Sequence, residues 1–183
     1  MFALFSPRVQ RILKALALDE AYKVGSSVIE PEHFILALLK SAEGLAYLVL
    51  QQLRINVLTM QLMIEQSLVV KSPNKDFNKL PYSNRLKQLI VEADCFALSN
   101  NKDYVGTEHF LYAFVKEENS VMNHFFNKAG ISIDDLVEQI SEVEKKVPSS
   151  FFDMKKNLSK KEKIHVYSDL DDYKNNSKES LLA

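Results

Sequence analysis

Apolar side chains recur along this chain three or four residues apart. In the first long segment they are Val9, Ile12, Leu13 and Leu16. Spacing of this kind places the apolar side chains in one stripe along a helix. No segment shows a convincing alternation of apolar and polar residues, so the pattern predicts helices throughout.

The pattern occurs twice. Residues 28–40 (VIEPEHFILALLK) return 76 residues later as residues 104–116 (YVGTEHFLYAFVK), with five identical positions. Upstream, residues 5–9 (FSPRV) correspond to residues 82–86 (YSNRL) at an offset of 77, so the first copy carries one extra residue before Gly25. A self-match at fixed spacing indicates a duplicated supersecondary unit.

Each copy is predicted to contain four helices. They lie near 7–24, 31–41, 44–54 and 57–69, and again near 83–100, 107–117, 120–129 and 133–146. Pro31 suits a first helical position because it has no N–H, and Thr107 is expected to be an N-cap. Gly44 and Gly130 fall between helices, where left-handed backbone is needed. We therefore predict an all-α fold in which two pseudo-symmetric four-helix repeats form one eight-helix bundle.

The chain divides into a repeat domain and a polar tail. We assign residues 1–147 to the domain, with repeat 1 at 4–70, a linker at 71–81 and repeat 2 at 82–146. Residues 148–183 mix both charges with few apolar side chains. Because such a segment buries too little apolar surface to offset the entropy of ordering, we predict a flexible C-terminal tail or linker.

Charge and composition narrow the function classes. A chain of 183 residues with 46% hydrophobic content can bury a core, and its net charge is −1 with both signs interspersed. That balance gives no electrostatic footprint for nucleic acid or an anionic membrane. One cysteine suits a reducing compartment, and no segment reads as a signal peptide or a membrane span. We expect a cytoplasmic protein with neither nucleic acid nor a membrane as partner.

The sequence contains few candidates for chemistry. The four glycines form no Gly-x-x-x-x-Gly-Lys, so no ATPase site is expected. No Gly-x-Ser-x-Gly motif is present, and no histidine is paired with another His or Cys at metal-ligand spacing. We therefore expect no enzymatic activity, no cofactor and no metal site.

Two Glu-His pairs remain informative, Glu32-His33 and Glu108-His109, each at the start of a second helix. A carboxylate in the first turn stabilises a helix through its dipole, and the histidine could cap the helix or fill the groove beside it. The same carboxylate is also well placed to receive a guanidinium or ammonium group from a partner. Both interpretations stay open. An acid–base pair is disfavoured because neighbouring helical side chains point roughly 100° apart.

An aromatic-Ser-x-Arg motif, a long helix and a Glu-His-Phe motif, all present twice, resemble the repeat N-terminal domain of Clp ATPases. The resemblance covers residues 4–146 and is closest at residues 82–85 (YSNR) and 104–109 (YVGTEH). In the first copy, Glu30-Pro31 replaces the Gly-Thr of the family. The resemblance implies a domain that binds adaptor and client proteins and delivers them to a Clp ATPase for unfolding and degradation. The chain itself carries no ATPase module.

The resemblance also implies site residues. In the ClpC-like branch the glutamate of each motif helps to bind phosphoarginine, and by position these residues are Glu32 and Glu108, with Thr107 supplying a hydroxyl. Because Pro31 removes that hydroxyl from the first site, we expect Glu108 to contribute more than Glu32. The alternative is a free-standing Clp-associated subunit that binds and regulates or stabilises the Clp complex. The sequence leaves open whether the chain is free-standing or a piece of a longer Clp ATPase.

Overall fold

The computed structural model of this chain describes residues 4–73 and 79–147. In these residues eight helices form: α1 (Pro7–Arg11, Ile12–Leu16 and Ala17–Lys23 in one run), α2 (Pro31–Ser41), α3 (Leu45–Gln52), α4 (Val57–Ser67), α5 (Asn84–Ser99), α6 (Thr107–Lys116), α7 (Val121–Lys128) and α8 (Ile133–Lys146). Two short strands are present, β1 (Leu4–Phe5) and β2 (Tyr104–Val105). The predicted tail at 148–183 and the centre of the predicted linker lie outside the described residues.

The predicted apolar stripes meet in one core, shared by both repeats. Phe34 and Phe110 occupy equivalent positions in the two copies, and both are fully buried. Their rings stack with centroids 4.6 Å apart and planes inclined by 26°. Such pairs stabilise a core beyond the area they bury. The all-α fold of two pseudo-symmetric four-helix repeats is therefore confirmed.

The two strands connect the repeats in a crossed arrangement. β1 pairs in parallel with β2, and Ile29 forms an equivalent parallel bridge with Tyr82. The Ser6 N–H donates to the Val105 carbonyl oxygen at 2.9 Å, and the Ser83 N–H donates to the Ile29 carbonyl oxygen at 3.0 Å. Thus the start of each repeat binds the segment before the second helix of the other repeat. The sequence pattern missed these strands because two residues cannot show an alternation.

The extra residue of the first copy is absorbed inside α1. Residues Ile12–Leu16 form a π-helical turn, and the Ala17 N–H donates to the Ile12 carbonyl oxygen, five residues earlier. After this turn Ala17 is fully buried, as Ala93 is in α5, whereas Leu16 is only partly buried. The apolar stripe of the first copy was expected to continue at Leu16, but Ala17 is the counterpart of Ala93, because the offset changes from 77 to 76 within the helix.

No single helix among residues 4–73 and 79–147 has the length and apolar content needed to cross a membrane. Helices α2 and α3 have the required length and apolar content only when they are taken together, and the chain bends by 78° at the break between them.

Candidate functional site

Both motif histidines serve as caps at the start of a helix. His33 Nδ1 accepts a hydrogen bond from the Glu30 N–H at 2.9 Å, and His109 Nδ1 accepts one from the Gly106 N–H at the same distance. Both imidazole rings are buried, and burial lowers the pKa of His33 below its ordinary value. The structural interpretation of the histidines is confirmed.

Thr107 is not the N-cap of its helix, contrary to the sequence prediction. Gly106 occupies the N-cap position, and Thr107 is the first helical residue. The Thr107 hydroxyl instead accepts a hydrogen bond from the Ala46 N–H at 3.1 Å, at the start of α3 in the other repeat. The N-cap position of α3 is Gly44, which has no side chain to accept a hydrogen bond, so Thr107 supplies the cap from across the repeat interface.

Glu32 lies at the repeat interface and faces Arg85 of the second repeat. Its Oε1 is 3.0 Å from Arg85 Nη2, and its Oε2 is 3.4 Å from Arg85 Nη1. Glu117 accepts from the other side of the same guanidinium, with Oε1 2.6 Å from Nη2 and Oε2 3.4 Å from Nε. Glu30 Oε2 lies 3.9 Å from Nη1. The hydrogen bonds that Arg85 donates to Glu117 and to Glu32 raise its pKa above the ordinary value despite partial burial.

These charged groups border a shallow cleft between the repeats. The cleft is lined by Pro31, Glu32, Ile35, Ile64, Arg85, Phe114, Glu117, Ser120, Val121 and Met122. Its apolar members come from α2 and α4 of the first repeat and from α6 and α7 of the second. Its apolar side chains Ile35, Phe114 and Met122 are each at most 4% exposed, so the cleft is narrow in this structure.

Glu108, the counterpart of Glu32, is buried. Its side chain is 1% exposed. Among the described residues, no other side chain donates a hydrogen bond to either carboxylate oxygen. The carboxylate lies where a Cβ on Gly106 would be, so the glycine makes room for it. Burial raises the pKa of Glu108 to about 7, opposed by His109 and assisted by Glu144.

Glu108 belongs to a buried cluster with His109 and Glu144. The Glu108 Oε1 lies 3.6 Å from His109 Nδ1, and His109 Nε2 lies 3.1 Å from Glu144 Oε1. Lys102 Nζ is 3.2 Å from the second oxygen of Glu144. Burial alone would raise the pKa of Glu144, but the hydrogen bond from His109 and the charge of Lys102 bring it below its ordinary value.

The spacing of this cluster would allow a metal ion, but its hydrogen bonds do not favour one. Because His109 Nδ1 accepts from the Gly106 N–H, the ring proton belongs on Nε2, which then donates to Glu144. A metal ion at Nε2 would have to displace that proton, and one at Nδ1 would have to break the helix cap. The same tautomer leaves Nδ1 without a proton to give to Glu108, so the two do not form a hydrogen-bonded acid–base pair.

The geometry defines a class, a duplicated helical domain with a shallow cleft between its halves. Comparison with known proteins identifies the family. The family described as the Clp repeat (R) N-terminal domain matches residues 4–129 and, in a second match, residues 81–161. The chain belongs to this family.

Two relatives and one solved structure of the same fold illustrate the match. The chaperone protein ClpB of Oceanobacillus iheyensis is 32% identical over 141 residues, and the negative regulator of genetic competence ClpC/MecB of Bacillus subtilis is 32% identical over 140. Each match covers 76% of this chain and 17% of the relative, so the chain spans about a sixth of their length. The ClpV N-domain solved in complex with a VipB peptide shares the fold, with a TM-score of 0.51, 18% identity, and coverage of 78% of this chain and 93% of that one.

Sequence reasoning missed the role of Arg85 and Glu117. Arg85 was noted only as part of the aromatic-Ser-x-Arg motif, whose recurrence as Arg8 was the available signal. Glu117 has no acidic counterpart, because Ser41 stands at the equivalent position of the first repeat. Their meeting with Glu32 depends on how the repeats pack together.

Proposed function

We propose that this chain is a polypeptide-binding domain of the Clp chaperone and protease system, which receives segments of adaptor or client proteins in the cleft between its repeats. The observation that carries the proposal is the combination of an apolar floor, including Ile35 and Phe114, with the charged edge formed by Glu32, Arg85 and Glu117. Membership in the Clp N-terminal domain family and the peptide complex of the ClpV N-domain support it.

The proposal is tested by placing a charge in the cleft. Val121 is the first residue of α7, where an aspartate suits the helix dipole, and it is only partly buried against the core, so binding is compared once circular dichroism shows that Val121→Asp keeps the wild-type helix content. Leu58→Asp is the matched control, because Leu58 also lies in a first helical turn, is 72% exposed and does not line the cleft. Fluorescence anisotropy with a labelled unfolded client protein should show binding weakened at least tenfold by Val121→Asp and unchanged by Leu58→Asp. Equal affinities for both variants would contradict the proposal.

We also propose that Glu32 is the acceptor of a phosphoarginine guanidinium, and that Glu108 and Thr107 contribute less. Glu32 is partly exposed at the cleft, whereas Glu108 is buried and the Thr107 hydroxyl is bonded to Ala46. This order reverses the one expected from sequence. A charge-assisted bond contributes about 1.5–3 kcal/mol, so Glu32→Ala should weaken binding of free phosphoarginine by roughly ten- to a hundredfold. Calorimetry should find that the affinity of Glu108→Ala for phosphoarginine is closer to that of the wild type. If the wild type and both variants show no detectable binding, phosphoarginine is not a ligand of this chain.

A regulatory subunit of the Clp complex is the second candidate. Leu58 and Leu62 are both exposed and lie one turn apart on α4, outside the cleft. Exposed apolar rows of this kind are common at protein interfaces. The test is co-purification with a Clp ATPase ring in the absence of any client. Loss of co-purification in a Leu58→Asp, Leu62→Asp variant, together with its retention in Val121→Asp, would favour this function over client delivery.

A further inference from the structure

Several carboxylates surround the guanidinium of Arg85. Glu32 and Glu117 each place both oxygens within 3.4 Å of its guanidinium nitrogens, and Glu30 Oε2 lies 3.9 Å away. Three carboxylates of the described residues therefore lie within 4 Å of one guanidinium. Two of the carboxylates accept hydrogen bonds from the planar fork of one guanidinium. The carboxylates are therefore arranged to recognise a guanidinium and not merely a positive charge.

The acceptors are more enclosed than the group they hold. The side chains of Glu32 and Glu117 are 19% and 23% exposed, whereas that of Arg85 is 47% exposed. Arg85 is the second residue of α5, and its long stem can turn into solvent without moving the backbone. Because Arg85 is about half exposed, solvent screens these ion pairs, and its departure leaves the buried face of α5 in place.

We infer that Glu30, Glu32 and Glu117 form a guanidinium-binding cup, that Arg85 is its internal occupant, and that an arginine side chain of a bound polypeptide competes with Arg85 for the cup. The inference rests on the proposed function, because the cup opens at the edge of the same cleft. Arg85 occupies the cup when a polypeptide binds only weakly in the cleft. A polypeptide that carries an arginine next to an apolar residue displaces Arg85 from the cup.

The equivalent arginine of the first repeat, Arg8, lies beside a different carboxylate. Arg8 and Arg11 share one carboxylate, with Arg8 Nε and Arg11 Nη2 both 3.6 Å from Glu43 Oε2. Arg8→Gln removes the equivalent guanidinium of the first repeat, so it is the control for Arg85→Gln.

The test measures binding of a labelled hexapeptide that carries one arginine beside a leucine, together with versions that carry citrulline, lysine or phosphoarginine instead. Arg85→Gln should bind the arginine peptide at least tenfold more tightly than the wild type, with no such gain for the citrulline peptide. A second substitution, Glu117→Gln, should abolish the gain, and Arg8→Gln should show none. Arg85→Lys should fall between the wild type and Arg85→Gln, because lysine keeps the charge but not the fork.

Two results would overturn the inference. One is an Arg85→Gln variant that keeps the helical circular dichroism of the wild type but binds the arginine peptide no more tightly. The other is weaker binding of the phosphoarginine peptide by Arg85→Gln, since Arg85 would then hold the phosphate and not compete with the guanidinium. Either result, together with a loss of client binding in Val121→Asp, would leave the proposed function standing.

Discussion

At the scale of single residues, the two repeats differ most at the position that precedes the Thr/Pro-Glu-His motif. Glu30 stands there in the first repeat and Gly106 in the second. The missing Cβ of Gly106 allows the Glu108 carboxylate to fold inwards, while Glu32 points into the cleft and meets Arg85. One side chain thus separates a buried acid from a partly exposed one in otherwise similar motifs.

Glu108 should make the stability of the domain depend on pH. Because burial raises its pKa to about 7, the folded protein binds a proton more tightly than the unfolded chain does. The resulting stabilisation is complete below the ordinary pKa of 4.5 and is lost as the pH rises through about 7. Glu108→Gln should therefore be more stable than the wild type at pH 8, by at most about 3 kcal/mol, and similar to it at pH 4. Urea denaturation at both pH values measures the free energy of unfolding. The same difference between the two proteins at pH 4 and at pH 8 would contradict the prediction.

Thr107 should stabilise a helix that belongs to the other repeat. Replacing it by valine removes the acceptor for the Ala46 N–H, and loss of a cap costs about 1 kcal/mol. Thr107→Ser keeps the hydroxyl and should keep most of the stability. Hydrogen exchange at the Ala46 amide should become faster in Thr107→Val than in Thr107→Ser. Equal protection of that amide would show that the cap contributes nothing.

At the scale of elements, the π-helical turn in α1 should tolerate a deletion that α5 cannot. Removing Lys14, an exposed residue of the turn, should restore a regular helix and leave the buried faces on both sides aligned. Removing Gln88, an exposed residue of α5, rotates the rest of that helix by about 100° and turns its apolar stripe away from the core. Thermal unfolding should find the Lys14 deletion close to the wild type and the Gln88 deletion severely destabilised. Equal losses in both would show that the turn does not absorb the extra residue.

At the scale of the whole molecule, neither repeat should fold alone. The strand pairing is crossed, Phe34 stacks on Phe110, and α3 is capped by Thr107, so each repeat completes the other. A unit of about 70 residues is also marginal by size. Residues 1–75 alone should show no cooperative unfolding by circular dichroism, unlike the full chain. A transition as steep and as late as that of the full chain would contradict this.

The sequence by itself determined the repeat, the eight helices and most of their ends, because apolar spacing and capping act between residues a few positions apart. Pro31 begins α2 as predicted, and Gly44 and Gly130 adopt positive φ between helices. Only the tertiary structure decided the candidate site. Glu32 and Arg85 are 53 residues apart, and Thr107 and Ala46 are 61 apart. Whether such residues meet depends on how the repeats pack, which no local pattern encodes. For the same reason the inward turn of Glu108 emerged only when its side chain was seen against Gly106 and the core.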